Sequence, residues 1–319
     1  MNGGRFDSTY HAPVLVGEVL AALGDATRVL DCTLGGGGHS LALLEAGMVV
    51  VGIDRDPNAI ATATARLAPF AAEHRFRAVE GTYADLVADA AALGDAPFDG
   101  ALLDLGISSH QIDDEARGFS FREGAPLDMR MGGAAGRGEL ATAADVLNAS
   151  DEHELIRVFK TYGDEPKASR LAREVVRRRA NRPFATSDDF VGAIRAVLGP
   201  RSGPGDFARL FQALRIVVND ELGGLARALP ALRDRLASGG VLAVISYHSG
   251  EDRIVKHAFR EWSLSCVCPP KQLQCTCRAR PLGASLTRKA VTATLDEIAR
   301  NPRARSAHLR AWRKAALER

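Results

Sequence analysis

The segment Val29-Leu30-Asp31-Cys32-Thr33-Leu34-Gly35-Gly36-Gly37-Gly38-His39-Ser40 constrains the fold more than any other part of the chain. An apolar run suited to a buried strand meets a carboxylate, then four glycines, then residues that suit a helix start. Glycine lets the backbone enter positive φ and lets a ligand approach the main chain with no Cβ between them. About twenty residues later, where a doubly wound sheet places the acid that grips a ribose, the apolar run Met48-Val49-Val50-Val51-Gly52-Ile53 ends in Asp54-Arg55-Asp56. The two features together predict a nucleoside-bearing cofactor. The plainer alternative is that the glycines form only a mobile turn.

Spacing narrows the choice of nucleoside. A dinucleotide site wants G-x-G-x-x-G, so that the third glycine packs the helix on the strand beneath a pyrophosphate. Counting from Gly35 the third position is Ser40, and counting from Gly36 it is Leu41, so that fingerprint fails. A loose glycine loop with acids at the ends of the first two strands suits a cofactor with a ribose and an amino acid but no phosphate, and S-adenosylmethionine fits best.

Strand and helix alternate through the first third of the chain. Strands are expected at Val29–Asp31, Val49–Asp54, Phe76–Glu80 and Phe98–Leu105, with helices beginning near Ser40, Pro57 and Ala84. Such alternation implies a parallel sheet. After Asp104 the rhythm stops. A glycine-rich, charged stretch from Gln111 to Arg137 leads into helical segments up to about Asp206, in which Lys160, Lys167, Arg170, Arg173 and Arg177-Arg178-Arg179 surround the apolar faces. The sheet pattern resumes after a helix expected over Arg209–Leu229, with a strand Gly240–Ser249 and a closing pair at Ala290–Thr294 and His308–Arg313. The expected organisation is therefore residues 1–112 and 207–319 as two parts of one α/β domain, and residues 113–206 as an inserted helical substrate-recognition subdomain with a basic surface. Taken alone, the arginine triplet reads equally well as an ordinary solvated helix end.

Composition removes several classes. With 46% hydrophobic and 25% charged residues the chain is neither disordered nor membrane-spanning, and no secretory h-region opens it. A cytoplasmic protein with no membrane partner is expected. A net charge of +2 is too small to argue for a polyanion by itself. Five cysteines make an odd set for a secreted disulfide framework.

Several motifs jointly resemble the bacterial small-subunit ribosomal RNA cytosine-N4 methyltransferases, the MraW or RsmH family. They are His11-Ala12-Pro13-Val14-Leu15, the loop Thr33–Ser40, Gly52-Ile53-Asp54-Arg55-Asp56, Leu102–Ser109, Arg117-Gly118-Phe119-Ser120-Phe121, Pro126-Leu127-Asp128-Met129-Arg130-Met131, Ser246–Arg253 and Asn301-Pro302-Arg303-Ala304-Arg305-Ser306. The resemblance implies a Rossmann-like S-adenosylmethionine-dependent methyltransferase that modifies the exocyclic N4 amine of a cytosine in 16S ribosomal RNA. It further implies cofactor contacts from Gly37, Gly38 and His39, ribose recognition by Asp54, and a pocket completed by Tyr83, Asp104 and Gln111. The chain departs from the family pattern at Gly36, Tyr83 and Gly250. Ribosomal RNA or the ribosomal subunit is the expected partner, and a homodimer stays open. Two alternatives also stand: a methyltransferase acting on DNA or protein, and a non-catalytic RNA-binding assembly factor.

The chemistry asks for a hydrogen-bond acceptor at the target amine, whose lone pair is delocalised into the ring. Asp104 and His248 are the catalytic candidates. The alternatives are backbone carbonyls of Leu105–Ser108 and the polar cluster Ser246, His248 and Asp252, and His248 reads equally as a histidine that orients a loop. Phe119, Phe121 and Tyr162 are candidates to support an unstacked base, or core residues. No metal is required by this chemistry. Cys266-x-Cys268 and Cys275-x-Cys277 nevertheless supply four thiols, enough for a tetrahedral zinc, although the spacing is tighter than the usual C-x-x-C; four reduced surface cysteines are the alternative.

Overall fold

The computed structural model describes Phe6 and residues 12–134, 141–269, 272 and 274–316. His11 of the first motif lies outside them. Two compact units emerge, one from residues 1–106 and 222–319 and the other from residues 107–221.

The first unit is a sheet of eight strands: β1 (Arg28–Asp31), β2 (Val49–Asp54), β3 (Phe76–Glu80), β4 (Phe98–Asp104), β5 (Leu236–Ser246), β6 (Gly283–Ser285), β7 (Val291–Thr292) and β8 (His308–Lys314). Their order is β3-β2-β1-β4-β5-β8-β6, with β7 also on β8. β1 to β5 pair in parallel, while β8 runs antiparallel between β5 and β6. Alternate residues feed separate cores: Val29, Val50, Leu102 and Ala243 join one buried cluster, and Leu30, Val51, Leu103 and Val244 join the other. That division explains why the central strands read as continuous apolar runs. The order reverses direction between β1 and β4, and ligands of open α/β sheets bind beyond the carboxyl ends at such a point. The glycine loop leaves β1 there, and Asp104 ends β4.

The second unit is helical: Ala143–Ala149, Glu152–Thr161, Ala168–Arg179, Ser187–Leu198 and Pro204–Val218 surround a core that includes Phe159, Phe190 and Phe211. It is wider than the expected 113–206. The helix Pro204–Val218 belongs to it because Phe207, Leu210, Phe211 and Leu214 are all buried in that core. The single helix expected over Arg209–Leu229 is in fact two, Pro204–Val218 and Glu221–Arg235. Asp220 between them takes the left-handed conformation, with φ +48°. The Asn219 amide also leaves the helix pattern, accepting from the Met131 N–H and donating to the Met129 carbonyl. Asn-Asp is a helix-breaking pair for both reasons.

Candidate active site

Asp31 is buried and turned inward. One carboxylate oxygen accepts from the Ser40 hydroxyl at 2.7 Å and the other from the Thr33 N–H at 3.2 Å, so this acid fixes the loop to the helix that follows it. Its burial raises its pKa. Gly35 and Gly37 have φ of +50° and +75°, conformations that the sequence supplies by leaving out Cβ. Gly38 is needed for another reason: a Cβ there would lie 3.0 Å from the Pro13 ring. Pro13 belongs to a segment held from two sides, by Asn301 donating to the Ala12 carbonyl and by His39 Nε2 at 2.8 Å from the Val14 carbonyl. The first and last family motifs thus meet around the glycine loop.

Asp54 sits at the carboxyl end of β2, half-buried. The Gly35 N–H donates to Oδ2 at 2.8 Å and the Asp56 N–H to Oδ1 at 2.9 Å. Each carboxylate oxygen can accept more than one bond, so two backbone donors fix the rotamer and leave acceptor capacity for a pair of vicinal hydroxyls. Burial pushes its pKa up to about 6 against the pull of those two amides. The residues therefore fit a ribose-bearing cofactor beside a loop that no Cβ obstructs.

Asp104 lies at the centre of a second cluster. Its backbone N–H donates to the Thr33 hydroxyl at 2.7 Å, its Oδ1 accepts from the Tyr247 hydroxyl at 2.8 Å, and its Oδ2 faces His39 Nδ1 at 3.6 Å. A carbonyl only accepts, so His39 donates from Nε2 to the Val14 carbonyl. Burial and the neighbouring Asp104 hold the Tyr247 phenol well above its ordinary pKa, and it remains a donor at neutral pH. Sequence reasoning singled out Asp31 as the acid ending the first strand but gave Thr33 and Tyr247 no role of their own in this site. Tyr247 directly follows an apolar strand, where an aromatic ring reads as core. Its position just past the carboxyl end of β5 was the available signal.

The remaining candidates have local work. His248 is the N-cap of the helix Ser249–Trp262: Nδ1 accepts from the Gly250 N–H at 3.2 Å and Nε2 lies 3.2 Å from the buried Glu251. The expected strand Gly240–Ser249 ends at Ser246, because Glu251 takes the Tyr247 and His248 N–H groups into this cap. Asp252 makes a two-bond ion pair with Arg310, and Ser246 donates to the His308 carbonyl. Tyr83 opens the short helix after β3, partly buried. Gln111 belongs to the helical unit, where its amide accepts from the Ser108 N–H and donates to the Met131 carbonyl. Cys266, Cys268, Cys275 and Cys277 converge between the helix Ser249–Trp262 and β6.

The family model described as the MraW methylase family matches residues 8–315. The chain belongs to the MraW methylase family. Among its relatives, the ribosomal RNA small subunit methyltransferase H of Gemmatimonas aurantiaca is 64% identical over 307 residues, which cover 96% of each chain. The protein of the same name in Anaeromyxobacter sp. strain K is 50% identical over 95% of this chain and 97% of its own, and that of Symbiobacterium thermophilum is 44% identical over 95% and 96%.

Two of the MraW motifs hold each other within the helical unit. Gly118, at φ +70°, lies where a Cβ would come 2.2 Å from the Pro126 carbonyl oxygen. The Met129 N–H bonds to the Arg117 carbonyl, and Asp128 grips Arg130 through two bonds of 2.9 and 2.6 Å. The basic residues are less free than their sequence run implies. Arg177 and Arg178 both pair with Glu174, and Arg179 donates to the carbonyls of Leu147 and Ser150. Of the aromatic candidates, Phe119 is in the core and Tyr162 packs against it, whereas Phe121 is 37% exposed, edge-on to Phe207 and Phe211.

Proposed function

We infer that this chain transfers a methyl group from S-adenosylmethionine to the exocyclic N4 amine of a cytosine in small-subunit ribosomal RNA. The observation that carries the reading is the Asp54 carboxylate clasped by the Gly35 amide at the mouth of the parallel sheet, in a chain whose relatives bear the name ribosomal RNA small subunit methyltransferase H. The cofactor supplies an electrophilic methyl on a positively charged sulfur. What remains for the protein is to hold the partners in line and stabilise the charge that develops on the amine.

In this reading Asp54 accepts from the ribose hydroxyls, Gly37 and Gly38 let the cofactor lie against the backbone, and Tyr83 offers a ring to the adenine. Asp104 stands beside the reacting groups as the acceptor that draws out the amine lone pair, steadied by Tyr247 and Thr33. His248 is a positioning residue that turns the chain from β5 into its helix. Exposed cations hold the phosphates that flank the unstacked base. Such a substrate is made and assembled in the cytoplasm, which is where this reading puts the protein.

Incubation with methyl-labelled cofactor and unmodified small subunits, naked ribosomal RNA, DNA and protein tests the assignment. Label is expected on a cytosine of the small-subunit RNA, as N4-methylcytidine after digestion. Label confined to DNA or protein overturns it, and so does cofactor binding without any transfer.

A further inference from the structure

Every described residue between 264 and 282 is exposed or only partly buried, so the described residues of this loop form no apolar core of their own. Leu264 and Val267 are 45% and 39% exposed. Four sulfur atoms nevertheless meet in it. The Sγ of Cys275 lies 3.9 Å from Cys266, 3.9 Å from Cys268 and 3.4 Å from Cys277, and Cys277 lies 3.8 Å from Cys266; all four fall within 4.8 Å of one another.

These separations discriminate between explanations. A disulfide brings sulfurs to about 2.05 Å, so none of these pairs is bonded. Four ligands at about 2.3 Å from a central ion at tetrahedral angles stand about 3.8 Å apart, the spacing found here. Thiol–thiol hydrogen bonds are too weak to gather four cysteines, two exposed and two partly buried, against water and chain entropy. Backbone amides also point at the sulfurs: Val267 N–H lies 3.4 Å from Cys277 Sγ, and Thr276 N–H bonds to Cys268 Sγ. Ala279, at φ +54°, turns its N–H onto Cys277 Sγ as well. Such donors stabilise thiolates more than thiols.

We infer that Cys266, Cys268, Cys275 and Cys277 bind one zinc ion as a structural tetrathiolate. Soft thiolates select zinc over hard cations, and four protein ligands leave no open position for chemistry on the metal. Binding breaks four S–H bonds, forms four Zn–S bonds and releases four protons to solvent, with no change of oxidation state. The ion replaces the missing core of the loop, closing it between the helix Ser249–Trp262 and β6. Arg278 sits beside this dianionic centre, donating to the carbonyls of Glu261 and Leu264.

The full chain, expressed with zinc and purified under reducing conditions without chelator, is expected to carry about one zinc per chain by elemental analysis. Cobalt in its place should give the intense visible absorption of tetrahedral thiolate coordination. Cys266→Ser/Cys275→Ser should lower the zinc content at least tenfold, while Cys32→Ala, outside the cluster, keeps it. In the wild-type chain, chelator should open the Arg278–Ala279 bond to trypsin and added zinc should close it again. A wild-type chain without stoichiometric zinc overturns the inference. Iron with acid-labile sulfide, or disulfides among the four in peptide maps under non-reducing conditions, also overturns it.

Discussion

Asp54 shows how a single residue trades stability for binding. Its folded pKa, about 6, stands above the ordinary value of 3.8 because burial disfavours the charge. Between those values the folded state binds more protons than the unfolded state, so this group's contribution to stability falls as pH rises from about 4 to 6. Asp54→Asn lacks that cost, and its melting temperature relative to wild type should therefore increase from pH 4 to pH 7; a constant difference refutes the assignment. Binding runs the other way. Affinity for S-adenosylmethionine by calorimetry should weaken as pH falls through about 6, and Asp54→Ala at pH 7.5 should cost tenfold or more, about 1.4 kcal/mol, roughly one hydrogen bond to a charged group. Asp104 is separable from it by kinetics. Removing one bond to a charged acceptor costs about 1.5–3 kcal/mol, so Tyr247→Phe should lower kcat about tenfold to a hundredfold with cofactor affinity little changed. A loss confined to cofactor affinity would instead make Asp104 a binding group. Asp54 was legible in the sequence because its place after the second strand is a rule of the fold. Tyr247 and Thr33 were not, because their roles arise only when β1, β4 and β5 lie side by side.

At the scale of elements, apolar runs were sufficient to find β1, β2 and β4, which contain nearly continuous buried positions, whereas β3 buries only Phe76 fully. Caps and turns were harder to read, because their signals are single residues. The Asn219-Asp220 break and the His248 cap both fall inside stretches whose apolar spacing invites continuation. The loop joining the Arg117 and Pro126 motifs offers a direct comparison of two glycines with the same hand. Gly124, at φ +78°, has open space around its missing Cβ, whereas at Gly118 that Cβ would strike the Pro126 carbonyl at 2.2 Å and the Asp128 nitrogen at 2.8 Å. Gly124→Ala should thus cost only the left-handed penalty of about 1–2 kcal/mol. Gly118→Ala adds overpacking of about 1–3 kcal/mol against backbone that cannot rotate away. Urea unfolding of the two variants measures the difference, and equal losses would show that the two motifs do not pack as described.

Over the whole molecule the small net charge hides an uneven distribution. Residues 107–221 contain seventeen Lys and Arg against eighteen Asp and Glu, so the helical unit, expected from its arginine run to be basic, is balanced. Residues 264–319 contain twelve Lys and Arg against three Asp and Glu, a surplus of nine. Arg280, Arg288 and Lys289 there are exposed. Under the proposed reading, reversing those three charges should weaken RNA binding and reduce the salt slope by roughly one for each phosphate that is no longer neutralised. Arg177→Glu/Arg178→Glu/Arg179→Glu should act more on helical stability, since these arginines already have partners. Equal salt slopes for wild type and the first variant would remove that surface from the substrate path. The C-terminal strand has a bearing on biosynthesis. β8 is inserted between β5 and β6 and carries the fully buried Trp312, so β5 gains its second neighbour only once synthesis has passed residue 314, some seventy residues after β5 itself. A nascent chain paused or truncated before His308 would leave the apolar edge of β5 unpaired over the six residues Val241–Ser246 that β8 covers, a template for misassembly that chaperones would have to shield until β8 has been made.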